Sequence, residues 1–141
     1  MFSFFLLFIS MDIRKIIREE LEMMSDTKIN DKVALKDYIE AALWTEEDNI
    51  DFEDATMEYI HDDSIIDAWQ DVKKFIETAG SLLDGMDSEQ VGHDLWLTRN
   101  GQGTGFWDRG LGEVGDKLAK IASSMGEKNL FWGEDGKIHI E

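Results

Sequence analysis

The stretch HDLWLTRNGQGTGFWDRGLG, His93 to Gly112, crowds together residue types that catalytic and ligand-binding sites use. His93 could serve as acid or base, Asp94 and Asp108 could orient it, and Arg99 could hold an anion beside Asn100. A catalytic or small-ligand site at the His93–Arg109 segment would therefore rest on His93, Asp94, Arg99, Asn100 and Asp108. The spacing argues for a plainer role. Leu95 and Leu97 alternate against Asp94, Trp96 and Thr98, which predicts a strand on which His93 and Asp94 face opposite sides. No serine or cysteine nucleophile lies beside a base. Asn100 and the glycines then form a turn, FWDR returns as a second short strand, Trp96 or the Leu95/Leu97 pair enters the core, and Arg99 pairs with Asp108 across the hairpin.

Other chemistries have weaker sequence support. Gly101, Gly103 and Gly105 are spaced G-x-G-x-G, which is not the dinucleotide fingerprint, and no Gly-Lys-Ser/Thr follows. Phe106, Trp107, Arg99 and Arg109 could offer a stacking platform to single-stranded nucleic acid, although core packing of the two rings competes with it. For metals, His61 with Asp62 and Asp63, or the acids from Glu46 to Asp54, could attract a cation. The acidic loop lacks the central glycine of a calcium-binding EF-hand, and the histidines at 61, 93 and 139 form no close ligand pair. No metal and no cofactor is expected.

Charge is the most unusual property of the chain. The net charge is −17 over 141 residues, with 43% hydrophobic and 32% charged residues. Residues 1–36 are neutral, 37–90 carry −15, and 91–141 carry −2. Repulsion from phosphates disfavours direct binding to duplex nucleic acid or an anionic membrane. It favours a basic protein partner, met by Glu46, Glu47, Asp48, Asp51, Glu53, Asp54, Asp62, Asp63, Asp67 and Asp71. Carboxylates rowed along helices could also mimic DNA toward a DNA-binding protein. Without cysteine there are no disulfides and no thiolate metal sites, which fits a cytoplasmic setting.

The elements that must position these residues follow from periodicity. The first ten residues, MFSFFLLFIS, are apolar but too short to span a bilayer and lack a signal peptide's basic start. They are expected to be a start-site artefact ahead of Met11, with a membrane-surface anchor as the other possibility. Residues 11–141 read as one domain. Ile13, Ile16, Ile17, Leu21 and Met24 predict a helix over 12–24. Leu35, Tyr38, Ile39, Ala42 and Leu43 predict another over 32–44, capped by Asp31. Ile65, Trp69, Val72, Ile76, Ala79 and Leu83 predict a third over 62–84, with Asp62 and Asp63 complementing its dipole. After the predicted hairpin, Val114, Leu118, Ile121, Ala122 and Met125 face inward on a helix over 111–125, ended by Gly126. Asp135-Gly136 between NLFW and KIHI predicts a terminal hairpin. The expected fold is thus α+β: three helices, then β-hairpin, helix, β-hairpin, forming a small antiparallel sheet.

The central stretch also resembles a family of small uncharacterised bacteriophage and bacterial proteins. These carry Gly-His-Asp-Phe-Trp-Leu-Thr-Arg-Asn-Gly-His-Gly-Ala-Gly-Phe-Trp-Asp-Arg, then a helix and a terminal hairpin with Asp-Gly-Lys-Ile. The matching residues are Gly92, His93, Asp94, Trp96–Asn100, Gly101, Gly103, Gly105, Phe106, Trp107, Asp108 and Arg109, then Gly133 and Asp135–Ile138. The DYIEAALW segment, Asp37 to Trp44, resembles that family's earlier helix. Leu95 stands where the family tends to have Phe, and Gln102 where it tends to have a second His. The resemblance implies a phage or mobile-element setting and brings no activity with it. The combined expectation is a non-enzymatic binding protein whose acidic middle third meets a basic host or phage protein.

Overall fold

Asn30 opens the first helix of the described chain, because its side-chain oxygen accepts from the N–H groups of Lys32 and Val33 at 3.0 and 3.2 Å. A computed structural model describes residues 28–141; the helix expected over 12–24 and the apolar residues 1–10 lie outside them. Helix α1 runs Asp31–Trp44. Asp31 is its first residue and not its cap, and its carboxylate instead accepts from the Trp69 indole at 3.1 Å. An acidic segment with two short 3-10 turns, Ile50–Phe52 and Met57–Tyr59, leads to α2, Asp62–Ala79. His61 caps α2 by accepting from the Asp63 N–H at 3.0 Å. A 3-10 turn over Gly80–Leu83 extends α2. Helices α3, Ser88–Arg99, and α4, Glu113–Ser124, follow, with a 3-10 turn at Phe106–Asp108 between them.

The expected hairpin over 93–109 is therefore a helix and a loop. The chain's described sheet has two antiparallel strands, β1 (Leu130–Trp132) and β2 (Ile138–Ile140). They pair Leu130 with Ile140, Phe131 with His139 and Trp132 with Ile138. The fold is mostly helical, with this small sheet at the C-terminal end, an α+β arrangement with fewer strands than expected.

The physical reason for the difference lies in where α3 sits. Val91, Gly92 and every residue from Asp94 to Arg99 are buried, so the helix is covered on nearly all sides. A helix buried all round has no polar face, and the 3.6-residue period disappears from its sequence. What remains is a short Leu-x-Leu alternation that imitates a strand. Its closest neighbour is α1. A Cβ at Gly92 would run into the Ala34 carbonyl, so only glycine allows the two backbones this approach.

The core is built from the four described helices and the sheet. Tyr38 and Ile39, Val72 and Phe75, Val91, Leu95 and Leu97, Phe106, Leu118 and Ile138 are buried. Phe75 and Phe106 stack with centroids 5.3 Å apart, and Tyr38 and Trp96 pack edge to face with centroids 5.3 Å apart. The buried face of α2 is Ser64, Ala68, Val72, Phe75 and Ala79, so Ile65, Trp69 and Ile76 of the expected stripe flank it, partly exposed. In α4, Leu118 and Ala122 are buried while Val114 is exposed. The hairpin docks on the start of α2: the His61 N–H donates to the Ile138 carbonyl at 2.8 Å, and the Ile140 N–H donates to Ser64 Oγ at 3.1 Å.

Candidate functional site

Burying α3 requires that each polar group it carries find a partner. Arg99 has 3% of its surface exposed and makes four donor contacts. Nη1 reaches the Tyr38 hydroxyl at 3.0 Å and Asp71 Oδ2 at 2.9 Å; Nε and Nη2 reach the carbonyls of Gly126 and Met125 at 2.8 and 3.0 Å. One guanidinium thus joins α1, α2 and α3 and satisfies carbonyls at the end of α4 that the helix leaves open. Burial pushes the Tyr38 hydroxyl up to about 12, although Arg99 pulls the other way.

Asp94 has no exposed surface and lies in the fork of Arg109, whose Nη2 reaches Oδ1 at 2.8 Å and whose Nε reaches both oxygens at 3.2–3.3 Å. The hydrogen bond with Asp94 raises the Arg109 pKa above its ordinary value, more than burial lowers it. Thr98 Oγ1 accepts from the Phe106 N–H at 3.2 Å, and a Cβ at Gly105 would strike that hydroxyl. Asp108 accepts from the Gly105 N–H at 3.0 Å and the Thr104 hydroxyl at 2.7 Å, and both bonds hold its carboxyl below the usual range. Asn100 donates to the Trp96 carbonyl at 2.9 Å and accepts from the Lys128 N–H at 2.8 Å.

The five chemical candidates of this stretch are therefore not brought together. Arg99 pairs with Asp71, not with Asp108, and Arg109 is the partner of Asp94. His93 lies apart, its ring 6.1 Å from that of Trp44. Trp96 is buried and donates to Thr45 Oγ1 at 3.1 Å. Phe106 is in the core while Trp107 is exposed, so the expected two-ring platform is split.

The acidic region has the opposite character. Glu47, Asp48, Asp51, Glu53, Asp54, Asp62, Asp63 and Asp67 are exposed, and Glu46 is half-buried with Asn49 donating to it at 3.2 Å. Asp71 leaves this set, because it is the counter-ion of Arg99. No lysine or arginine occurs between Lys36 and Lys73, so within that span only His61 could supply a cation. At the upstream edge, burial and then the charges of Glu40 and Glu89 raise the Asp37 pKa.

Exposed rings and apolar side chains lie along the same region. Trp44, Ile50 and Tyr59 are exposed, Ile50 by 80%. Trp132 of β1, 37% exposed, stacks on Phe52 at 6.0 Å, packs edge to face with Tyr59 at 5.5 Å and donates from its indole to the Asp51 carbonyl at 2.7 Å. These residues were not distinguishable from core aromatics by sequence spacing. For Trp44 and Tyr59 the available signal was their position flanking an acidic loop without regular periodicity; Trp132, on the distant β1 strand, had none.

The metal candidates also find structural partners. His61 Nδ1 is occupied by the Asp63 N–H; the His61 ring stacks on His139 at 5.0 Å, and His139 contacts Asp135 at 2.9 Å. The Lys137 N–H and His139 together hold the Asp135 carboxyl below its ordinary range. Among the described residues no three His, Cys, Asp or Glu side chains are grouped to hold a metal ion, and no helix is long and apolar enough to cross a membrane. Comparison of the chain with protein-family models, with curated proteins and with solved structures returns no match.

Proposed function

We propose that this is a binding protein that engages a basic protein partner through its acidic middle third. The observation that carries the reading is the contrast in pairing. The carboxylates Asp71 and Asp94 are each paired with an arginine, Arg99 and Arg109, whereas the exposed acids between Glu47 and Asp67 have no Lys or Arg close in sequence to answer them. An uncompensated field of this kind repels phosphate, attracts a cationic surface and speeds encounter with it. The acids sit on turns and helices with exposed rings between them. That favours a partner recognising rings as well as charge over one reading only DNA-like spacing. The likeness of the central motif to phage proteins adds a setting: a phage-encoded protein acting in the host cytoplasm on a host or phage protein.

The test is retention of proteins from host lysate at low and then moderate salt by the full chain and by a Glu47→Lys, Asp48→Lys, Glu53→Lys, Asp54→Lys variant. Asp71 is left unchanged because reversing it would strand Arg99. The reading expects a basic protein retained at low salt, weakened by added salt and lost in the variant. Retention of nothing, or equal retention by the variant, contradicts it.

A further inference from the structure

We infer that the partner presents arginine, and that Trp132 and Tyr59 form the platform on which an arginine side chain stacks. The inference rests on the proposed acidic-face reading and adds the chemistry that selects the partner. Tyr59 and Trp132 meet edge to face at 5.5 Å with both rings partly open, and Phe52 backs Trp132 at 6.0 Å. The Trp132 indole is further fixed by the Asp51 carbonyl at 2.7 Å. Two rings held this way lose little side-chain freedom when a ligand arrives.

Acidic residues adjoin the platform along the chain. Asp51 supplies the carbonyl that holds Trp132, Glu53 closes the 3-10 turn containing Phe52, and Glu58 precedes Tyr59 in the next turn; all three are exposed. A flat cation over an aromatic face with carboxylates at its rim suits a guanidinium. It stacks through its plane and donates through its edge, whereas an ammonium is a compact, strongly hydrated charge. Ile50, 80% exposed beside Asp51, offers an apolar contact to the residue next to the arginine. The chain already shows one cation over a ring: Lys73 lies 4.1 Å from the Trp69 ring centroid on α2.

Two synthetic peptides of equal length and charge, one alternating Arg-Val and the other Lys-Val, test this by calorimetric titration of the full chain. The inference expects the arginine peptide to bind about five- to tenfold more tightly than the lysine peptide. Tyr59→Ala should remove most of that preference and leave lysine-peptide binding nearly unchanged. Trp132→Phe, which keeps a ring against Phe52, should reduce the preference by a smaller factor. Near-ultraviolet circular dichroism confirms that each variant keeps its packing. Equal affinities for the two peptides, or a preference that survives Tyr59→Ala, overturn the ring platform while leaving the acidic-face reading in place. Absence of binding by both peptides at low salt overturns both.

Discussion

The α3 segment and the acidic loop both look functional in the sequence, and the structure separates them by one criterion. In and around α3, the buried charges are paired: Asp94 with Arg109, and Arg99 with Asp71 and the Tyr38 hydroxyl. In the segment from Thr45 to Asp63, the acids are exposed apart from the half-buried Glu46, and no lysine or arginine lies among them. The first arrangement spends its chemistry on joining helices. The second leaves its chemistry facing outward. A dense cluster of reactive residue types is thus weak support for a site when the element bearing them is buried, because each polar group there must already be satisfied.

The sharpest way to break this contrast is Arg99→Met. It strands Asp71, the Tyr38 hydroxyl and two main-chain carbonyls, and is expected to cost about 3–5 kcal/mol in chemical denaturation. A loss below about 1 kcal/mol would show that the guanidinium is not a structural joint. Gly92→Ala comes next: the added methyl meets the Ala34 carbonyl, main chain that cannot rotate away, and a loss of about 3 kcal/mol is expected in the same measurement. Asp94→Asn is milder, about 1–3 kcal/mol, because Arg109 is partly open to water and can re-solvate.

An alkaline titration sharpens the Tyr38 contact. Its folded pKa of about 12 lies above the ordinary value of 10.0, so its contribution to stability is complete below pH 10 and is lost as the pH climbs toward 12. Tyr38→Phe should flatten that part of the stability profile, a difference of at most about 3 kcal/mol. The smallest effect on stability belongs to the acidic loop. Neutralising Glu47 or Asp54, by Glu47→Gln or Asp54→Asn, should change unfolding by no more than about 0.5 kcal/mol each.

Much of the fold was legible where an element has one wet and one dry face. Helix α1, the start of α2, helix α4 with its Gly126 stop and the Asp135-Gly136 hairpin all follow from periodicity and turn chemistry, whereas α2 ends at Ala79, short of the expected 84, where Gly80 turns to positive φ and a 3-10 turn takes over. Helix α3 was not legible, because complete burial erased its period and left Leu95 and Leu97 to suggest a strand. The pairing of Arg99 followed from that error: a hairpin puts Asp108 opposite, whereas the helix turns the guanidinium toward Asp71, 28 residues upstream. Such a long-range contact has no local signature. The acidic face was legible as composition, but the removal of Asp71 from it and the placing of Trp132 beside Tyr59 depend on tertiary packing.

The division between the two regions is tested most directly by nitrogen–proton correlation spectroscopy of the full chain titrated with the arginine peptide. The account predicts that amide shifts concentrate between Thr45 and Asp63 and at the Trp132 indole, while residues 88–109 hold their positions. Shifts centred on His93, Arg99 and Arg109, with the acidic loop unmoved, would contradict it.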